Sequence, residues 1–539
     1  MKVYGHLVDI HKRNIYKAGI DIVNGRILSI KKSSSAPEVY IMPGLIDSHI
    51  HIESTMITPG AFALTAVRHG TTGVVSDPHE IANVLGMKGI DYMVKEAGKV
   101  PLRFWFGAPS CVPATVFETN GAELNSKEIR CLMELHHIKY LSEMMNYPGV
   151  ISGERLILEK IRIARSNGKP VDGHAPGLTG EMLKKYVFAG ISTDHECSTI
   201  EEAKEKISLG MKILIREGSA AKNLNSLKSL FDTNPAMVML CSDDLHPEML
   251  RRGHINKLIG SLVKEGFNEF DVIRSATRNP VEHYNLEAGL LQNGQSADFI
   301  VVDSLENMNV LETWIKGEKI FGDNKVLFSY EESESVNNFH CLPISEDDIR
   351  IVNQHSRMRV IKASEGELKT KEVHVNSGRG KLVDSDTDND VLKIVVKERY
   401  HNSPPAAGFI KGFGLKGGAF ASSVSHDSHN IIAVGTNDRD ITIAVNEIVN
   451  HKGGLAVSSC EKVISLPLNI GGIMTTQSCE EVADEYNTLN KMVNSLGCTM
   501  TAPFMTLSFM ALLVIPDLKI GDRGLFDVRK FENVSLFLD

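Results

Sequence analysis

Eight short apolar segments, separated by stretches with helical spacing, dominate the first half of this 539-residue chain. Strands that alternate with helices in this way indicate βαβ units and a parallel sheet. Eight such units within about 240 residues match the size of a (β/α)8 TIM-like barrel. Nearly every segment ends in His, Asp or Glu, and barrel enzymes build their sites at those carboxyl ends. The segments are predicted to end at His51, Glu80, Pro109, Glu154, His174, His195, Glu217 and Asp243.

Two β-rich pieces flank the predicted barrel. In residues 1–42, strand-like runs are joined by Asn24-Gly25, a dipeptide typical of tight hairpin turns. Residues 286–325 contain two more apolar runs, ADFIVVDS and TWIKGEKIF. We expect these two pieces to form one small split β-sandwich domain, into which the barrel, residues 43–285, is inserted.

The chain changes character again after about residue 325, where the acidic stretch SYEESESVNN marks a boundary. We expect residues 330–539 to form a C-terminal α/β (α+β) domain. Its predicted strands are VLKIVVKER, NIIAVGTN and ITIAVNEIV, and a helix is predicted from Cys479 to Leu496 because the apolar residues there keep helical spacing.

The composition narrows the classes of partner. A net charge of −9 argues against binding to nucleic acid or to an anionic membrane, since both need a basic surface. The start of the chain lacks the apolar core of a signal peptide, and the apolar stretch from Met505 to Ile515 is too short to span a bilayer. Eight scattered cysteines without a CxxC motif fit reduced thiols. We therefore expect a cytoplasmic homo-oligomer, a dimer or larger, that acts on a small molecule.

The segment PGLIDSHIHIEST, residues 43–55, places two histidines two positions apart. Alternate side chains of a strand face the same side, so this pair can bind a metal ion. Two metals in one site need a bridging oxygen donor, and the carboxylate in the middle of the candidate set, Glu154, is expected to supply it. Mixed imidazole and carboxylate ligands suit manganese, iron and zinc alike. The candidate ligands are His49, His51, Glu154, His174, His195 and Asp243.

Each of these residues also has a structural alternative. Glu154 would be an exposed neighbour of a helix N-cap, His174 a turn histidine beside Pro176, and Asp243 with Asp244 a helix cap. Their joint placement at successive strand ends favours the metal site. Asp243 would then both bind a metal and accept a proton from the attacking water.

Seven longer motifs accompany these residues. They are SDPHEIANVLG (76–86), SGE (152–154), DGHAPGL (172–178), DHE (194–196), REGSA (216–220), SDD (242–244) and HDSHNIIAVG (426–435). Together with the HxH pair they resemble the amidohydrolase superfamily, and within it the chain is similar to the bacterial adenine deaminases. This resemblance extends nearly from end to end of the chain.

The resemblance implies hydrolysis of adenine to hypoxanthine and ammonia, a step of purine salvage or adenine catabolism. It also implies a binuclear Mn²⁺ centre, with Fe²⁺ or Zn²⁺ as alternatives. A metal-bridged hydroxide would attack C6 of the purine, and Asp243 would relay the proton. The candidates for a second proton donor are Glu80, His79 and Glu217. The candidates for substrate binding are Arg216, Ser219, His79, His426 and His429.

Several alternatives stay open at this point. Arg216 would also suit a structural ion pair. The HDSHN loop would cover the barrel mouth, complete the site of a neighbouring subunit, or be a polar turn. A glutamate in place of a carboxylated lysine at strand four argues against a dihydroorotase or hydantoinase. An amidohydrolase acting on another aminopurine or a cyclic amide, and a catalytically silent barrel scaffold, are the remaining functional alternatives.

Overall fold

The computed structural model of the protein describes residues 1–219, 221–332, 334–365 and 367–538. Ala220, the last residue of the REGSA motif, and Asp539, the last residue of the predicted C-terminal domain, lie outside them. The chain forms two compact units. Unit 1 comprises Met1–His79, Asp91–Cys111 and Leu124–Ser333, and unit 2 comprises Glu80–Ile90, Val112–Glu123 and Glu334–Asp539.

One eight-stranded sheet of unit 1 combines strands from both ends of its sequence. The first strands are β1 (Lys2–Asp9), β2 (Asn14–Val23), β3 (Arg26–Lys32) and β4 (Tyr40–Pro43). The barrel strands follow as β5 (Leu45–Ile50), β6 (Thr71–Ser76), β7 (Arg103–Ala108), β8 (Ile138–Met144), β9 (Val171–Gly173), β10 (Thr193–Asp194), β11 (Lys212–Arg216) and β12 (Val238–Cys241). The last are β13 (Phe299–Val302), β14 (Val310–Ile315), β15 (Glu318–Gly322) and β16 (Lys325–Val326). The sheet order is β16-β15-β14-β13-β4-β1-β2-β3, so the antiparallel pair β4 and β13 joins the two pieces. The boundaries at residues 42, 286 and 330 stay predictions.

Helices alternate with the barrel strands, as the sequence pattern predicts. They are α1 (Pro59–Ala66), α2 (His79–Leu85), α3 (Met87–Ala97), α4 (Ser126–Met133), α5 (Tyr147–Ser152), α6 (Arg155–Ser166), α7 (Gly180–Ala189), α8 (Ile200–Ser208), α9 (Leu224–Leu227), α10 (Leu230–Thr233), α11 (Pro247–Arg252), α12 (Ile255–Lys264), α13 (Glu269–Ser275) and α14 (Arg278–Tyr284). Short 3₁₀ turns occupy Ile52–Thr55, Val67–His69 and Pro235–Met237.

Strands β5 to β12 form a closed parallel barrel, which confirms the predicted fold class. Strands β5 to β9 pair in chain order, as do β10 to β12. The amide of Ser192 donates to Val171 O at 2.9 Å and joins the two sets near β9. The ring closes between β5 and β12, where the amide of Asp243 donates to His49 O at 2.9 Å. This last joint brings the HxH segment beside Asp243.

Alternation along the strands separates the barrel interior from the layer beneath the helices. In β11, Leu214 packs in one cluster with Ile46 and Tyr140 from other strands. Its neighbours Ile213 and Ile215 pack in another cluster, which includes residues of α12 and α13. Because both faces of a barrel strand are buried, its sequence is apolar throughout.

The predicted fourth strand, GVISGE, is wrong. That stretch is helix α5, whose N-cap residue Asn146 accepts the Gly149 amide at 2.9 Å. The helix ends at Ser152, and its C-cap residue Gly153 has a φ of +83°, the left-handed conformation that favours glycine. The fourth barrel strand is β8, which lies earlier in the chain, so Glu154 does not end a strand.

Unit 2 is a mixed α/β unit. Its strands are β17 (Arg357–Lys362), β18 (Lys371–Asn376), β19 (Leu392–Lys397), β20 (Ala406–Lys411), β21 (Ala419–Ser422), β22 (Ile431–Gly435), β23 (Gly454–Ser459), β24 (Lys462–Pro467), β25 (Leu518–Gly521), β26 (Gly524–Asp527), β27 (Glu532–Asn533) and β28 (Phe537–Leu538). Its helices are α15 (Asp438–His451), α16 (Cys479–Ser495) and α17 (Pro503–Ser508), with 3₁₀ turns at Glu346–Ile349 and Phe509–Ala511.

The main sheet of unit 2 has the order β18-β17-β20-β19-β22-β21-β23-β24, with β28 paired to β17. Strands β25 to β27 form a second, smaller sheet. The predicted strand ITIAVNEIV is wrong, because this stretch forms helix α15. The predicted helix that begins at Cys479 is confirmed as α16. Among the helices of the described ranges, none is both long enough and apolar enough to cross a membrane.

Candidate metal centre

The HxH pair lies at the end of β5, with both imidazoles buried. His49 Nε2 and His51 Nε2 are 3.2 Å apart. Asp243 follows β12, and its Oδ1 lies 3.5 Å from His49 Nε2 and 3.2 Å from His51 Nε2. The barrel closure therefore places three of the predicted ligands in contact.

Glu143, at the end of β8, is the carboxylate at the middle of this cluster. Its Oε1 lies 3.3 Å from His51 Nε2. Its Oε2 lies 3.2 Å from His195 Nε2 and 2.6 Å from His174 Nδ1. One buried carboxylate thus contacts three of the predicted histidines through its two oxygens.

The prediction that Glu154 bridges two metals is wrong. Glu154 is exposed and precedes helix α6 as its N-cap residue, without a capping hydrogen bond from its side chain. This is the structural alternative that the sequence left open for it. Glu143 occupies the place in the cluster that was predicted for Glu154.

The spacing of these atoms fits metal binding. Two ligand atoms that are each about 2.1 Å from one metal lie roughly 3.0 to 3.5 Å apart at octahedral or tetrahedral angles. Most of the contacts between imidazole nitrogen and carboxylate oxygen in the cluster fall in this range. Several groups of residues in the described ranges have ligand atoms within 4.8 Å of one another, and three of them build this cluster. They are His49 with His195 and Asp243, Glu143 with His174 and His195, and His51 with Asp77, His79 and Glu143.

The two carboxylates are held as anions. Burial alone would raise the pKa of Glu143, but His174, His195 and His51 outweigh burial and hold that pKa well below its usual range. Burial acts in the same direction on Asp243, but Arg216 and the HxH pair lower its pKa well below the usual range. A buried set of anionic oxygens and imidazole nitrogens is suited to a divalent cation, which would displace protons from the imidazoles.

Asp77 and Glu196 also belong to the cluster and are not among the predicted site residues. Asp77 Oδ2 lies 3.3 Å from His79 Nδ1, which is itself 3.6 Å from Glu143 Oε1. Glu196 Oε1 lies 3.5 Å from His195 Nε2. Both acids stand inside motifs that the sequence displays, SDPHE and DHE, directly beside strand ends. Their position beside the strand ends is the sequence feature from which these two acids could have been predicted.

Arg216 is a buried ion-pair partner. Its Nη1 lies 2.6 Å from Glu196 Oε1 and also contacts Asp243 Oδ2. The neighbouring Glu217 lies apart from these contacts, half-buried, with Oε1 accepting the Leu224 amide at 3.3 Å. Ser219 is tied to the loop after β12, because its hydroxyl accepts the His246 amide at 2.8 Å.

In unit 2, Glu80 contacts both histidines of the HDSHN motif. His426 Nδ1 lies 2.5 Å from Glu80 Oε1, and His429 Nε2 contacts Glu80 Oε2. The Ser425 amide donates to His429 Nδ1 at 3.2 Å, so the ring proton is on Nε2 and points to Glu80. Burial lowers the pKa of His429 to about 4, which keeps this ring neutral. The side chain of His426 stacks on Phe509 with ring centroids 4.5 Å apart.

Comparison with known proteins agrees with this arrangement. Residues 40–320 match the model of the amidohydrolase family, and residues 367–532 match the adenine deaminase C-terminal domain. Proteins named adenine deaminase from Methanosarcina mazei and Methanosarcina barkeri are 49% and 50% identical to the chain, with complete coverage of both sequences. One from Salinibacter ruber is 49% identical over all of this chain and 99% of its own length. The chain therefore belongs to the amidohydrolase family, within the group of adenine deaminases that carry this C-terminal domain.

Proposed function

We propose that the protein hydrolyses adenine to hypoxanthine and ammonia at the Glu143 cluster. The observation that carries this proposal is the buried Glu143 carboxylate in contact with His51, His174 and His195. Full-length relatives named adenine deaminase support adenine as the substrate. The reaction consumes one water and replaces the exocyclic amine of C6 with oxygen.

We further propose that the cluster binds two Mn²⁺ ions, for which Fe²⁺ or Zn²⁺ would be chemical alternatives. The residues that would hold them are His49, His51, Glu143, His174, His195 and Asp243. Bound there, divalent ions supply Lewis acidity and lower the pKa of water from ~15.7 toward ~7.

Asp243 is proposed as the base that takes a proton from water and delivers it to the departing amine. Arg216 contacts Oδ2 of this carboxylate, while Oδ1 faces the HxH pair. The guanidinium thereby favours the anion and fixes the orientation of the carboxylate. These contacts support a positioning role for Arg216 over direct recognition of the purine.

Glu80 is proposed as the group that exchanges a proton with the purine ring. Both of its oxygens are held by imidazoles, whereas Glu217 is engaged by a backbone amide of α9. In this proposal His426 and His429 orient Glu80, and His79 and Ser219 are retained as candidates for substrate binding. The chain is proposed to act as a cytoplasmic homo-oligomer in purine salvage.

Ammonia release from a panel of substrates tests the proposed function. The protein is loaded with Mn²⁺, its metal content is counted, and adenine, adenosine, guanine, cytosine and dihydroorotate are compared. We expect release from adenine alone and about two metals per chain, as for a binuclear amidohydrolase site. Two bound metals without turnover of adenine would support the metal site but contradict adenine as the substrate.

A further inference from the structure

We propose that Asp47, Ser242, His254 and Thr71, called here the Asp47 network, position Asp243 against the HxH pair. The network lies wholly within unit 1, and all four side chains are buried. Its kinetic consequence rests on the proposed function, but its effect on metal binding does not. None of the four is among the predicted metal ligands or substrate-binding residues.

Asp47 joins the two strands that close the barrel. Its Oδ1 accepts the His49 amide at 3.2 Å and the Ser242 amide at 3.1 Å. Its Oδ2 accepts the Ser242 hydroxyl and lies 2.8 Å from His254 Nε2. One carboxylate therefore holds the residue before Asp243 and the first histidine of the HxH pair at the same time.

Asp243 needs such support because its backbone is in an uncommon conformation. Its φ of +58° lies in the left-handed region, which is uncommon for any residue other than glycine, although Asp and Asn adopt it more readily than other residues do. Residues persist in this conformation at functional sites when their surroundings fix them. Ser242 is fixed on its amide and hydroxyl by Asp47, and the Asp243 amide donates to His49 O. The conformation directs the Asp243 carboxylate to the HxH pair.

His254 extends the network to β6. A carboxylate can only accept hydrogen bonds, so His254 Nε2 carries the proton that points to Asp47 Oδ2. His254 Nδ1 lies 2.6 Å from Thr71 Oγ1, the hydroxyl of the first residue of β6. The imidazole is therefore fixed at both nitrogens, and it holds the Asp47 carboxylate in the orientation that Ser242 requires.

Substitutions of single polar atoms test the network. Asp47→Asn keeps the side-chain size but points an amide at the Ser242 hydroxyl or at His254 Nε2, and Ser242→Ala removes one hydroxyl. His254→Gln retains a donor near the position of Nε2, whereas His254→Ala removes it. His283→Gln is the matched control, because His283 contacts Ser192 at 3.4 Å, outside the network.

The first readout is the affinity for Mn²⁺ alone, measured by competition with a fluorescent chelator, with circular dichroism to verify folding. Changes behind metal ligands typically cost 10- to 100-fold in affinity or activity. We expect that loss in Asp47→Asn and His254→Ala, a smaller loss in Ser242→Ala, and near-complete rescue in His254→Gln. The double variant Asp47→Asn with Ser242→Ala should lose no more Mn²⁺ affinity than Asp47→Asn alone. Both substitutions break the same hydrogen bond between the Ser242 hydroxyl and Asp47.

The second readout is the turnover of adenine. We expect kcat to fall about 10- to 100-fold in Asp47→Asn, in line with substitutions behind metal ligands, while KM changes little. Wild-type Mn²⁺ affinity in folded Asp47→Asn and His254→Ala would overturn the proposal. If the wild type does not turn over adenine, the proposed function is wrong. The Mn²⁺ affinities of the variants would still test whether the Asp47 network supports metal binding.

Discussion

At the scale of single residues, the Asp243 carboxylate contacts several of the side chains on which the proposed site depends. It faces two imidazoles through Oδ1 and a guanidinium through Oδ2, and it is almost completely buried. A buried acid with this many cationic or donor neighbours stays ionised at neutral pH. Asp243 is thereby available as a proton acceptor, which is the role that the proposed hydrolysis requires.

Asp243→Asn tests this role. The amide has the size of the carboxylate and keeps one oxygen for a metal, but it accepts no proton at neutral pH. Because general base catalysis contributes about 10²- to 10⁴-fold, kcat for adenine should fall by that factor. At saturating Mn²⁺, metal content and circular dichroism should stay close to those of the wild type. A kcat within threefold of the wild type would remove Asp243 from the mechanism.

Arg216→Met tests the electrostatic balance around Asp243. The change leaves the Asp243 and Glu196 carboxylates buried without their shared cation. Removing one partner of a buried ion pair typically costs about 3 to 5 kcal/mol, so the free energy of unfolding in urea should fall by that amount. Arg155→Met, at an exposed position of α6, is the control and should change stability by less than about 0.5 kcal/mol. Equal stability of the two variants would contradict the ion-pair assignment.

The histidines of the site were predictable because their motifs fix them locally. His49 and His51 stand in one segment with strand spacing, and His174 and His195 follow short strands directly. Glu143 was missed for a physical reason. Its strand IKYLSEM and the later stretch GVISGE both end near a glutamate, and the β-branched residues of GVISGE favour a strand by propensity.

At the scale of elements, capping signals decide between strand and helix where propensity misleads. Asn146, Pro148 and Gly153 give α5 an N-cap, an early proline and a left-handed C-cap. In α15, the apolar residues Ile441, Ala444 and Val445 recur at helical spacing behind the N-cap Asn437. Both stretches contain β-branched residues, and both are helices because caps and periodicity agree.

Gly153→Ala tests the cap that ends α5. A Cβ at this position would meet nothing within 4 Å, so the only penalty is the left-handed backbone conformation. That conformation should cost about 1 to 2 kcal/mol in the free energy of unfolding. Adenine turnover of the folded variant should stay unchanged.

Gly417→Ala is the matched control. A Cβ at Gly417 also meets nothing within 4 Å, and this glycine is not among the residues with positive φ. The control should be neutral or slightly stabilising, since alanine restricts the unfolded chain. If both variants lose the same stability, α5 does not end in the left-handed cap.

At the scale of the whole molecule, contacts between distant parts of the sequence build the site. The joint of β5 with β12 pairs Ile50 with Asp243, and the barrel exists only when this joint closes. Local patterns predicted seven of the eight strands and their order in the chain. Local patterns did not predict how the barrel closes, the Asp47 network or the central position of Glu143. These features depend on contacts between residues that are far apart in sequence.

Removal of metal should lower the stability of the entire chain. A ligand that binds only the folded state stabilises it by about 2.7 kcal/mol at one hundred times its dissociation constant. We therefore expect the melting temperature to fall by several degrees after chelation and to recover on addition of Mn²⁺. Magnesium at the same concentration serves as the ionic control. Identical melting curves for chelated and Mn²⁺-loaded protein would argue against a metal centre.

The most direct test of the central claim compares a buried glutamate of the cluster, Glu143, with an exposed glutamate, Glu154. Glu143→Gln and Glu154→Gln are each loaded with Mn²⁺, and metal content and ammonia release from adenine are measured in the same samples. If Glu143 bridges the metal centre, its variant should lose about one metal per chain or more and about a hundredfold to a thousandfold in kcat, the scale of a lost electrostatic stabiliser. Glu154→Gln, changed only at an exposed position, should match the wild type in both measurements. Full metal content and turnover in Glu143→Gln, or their loss in Glu154→Gln, would contradict the account.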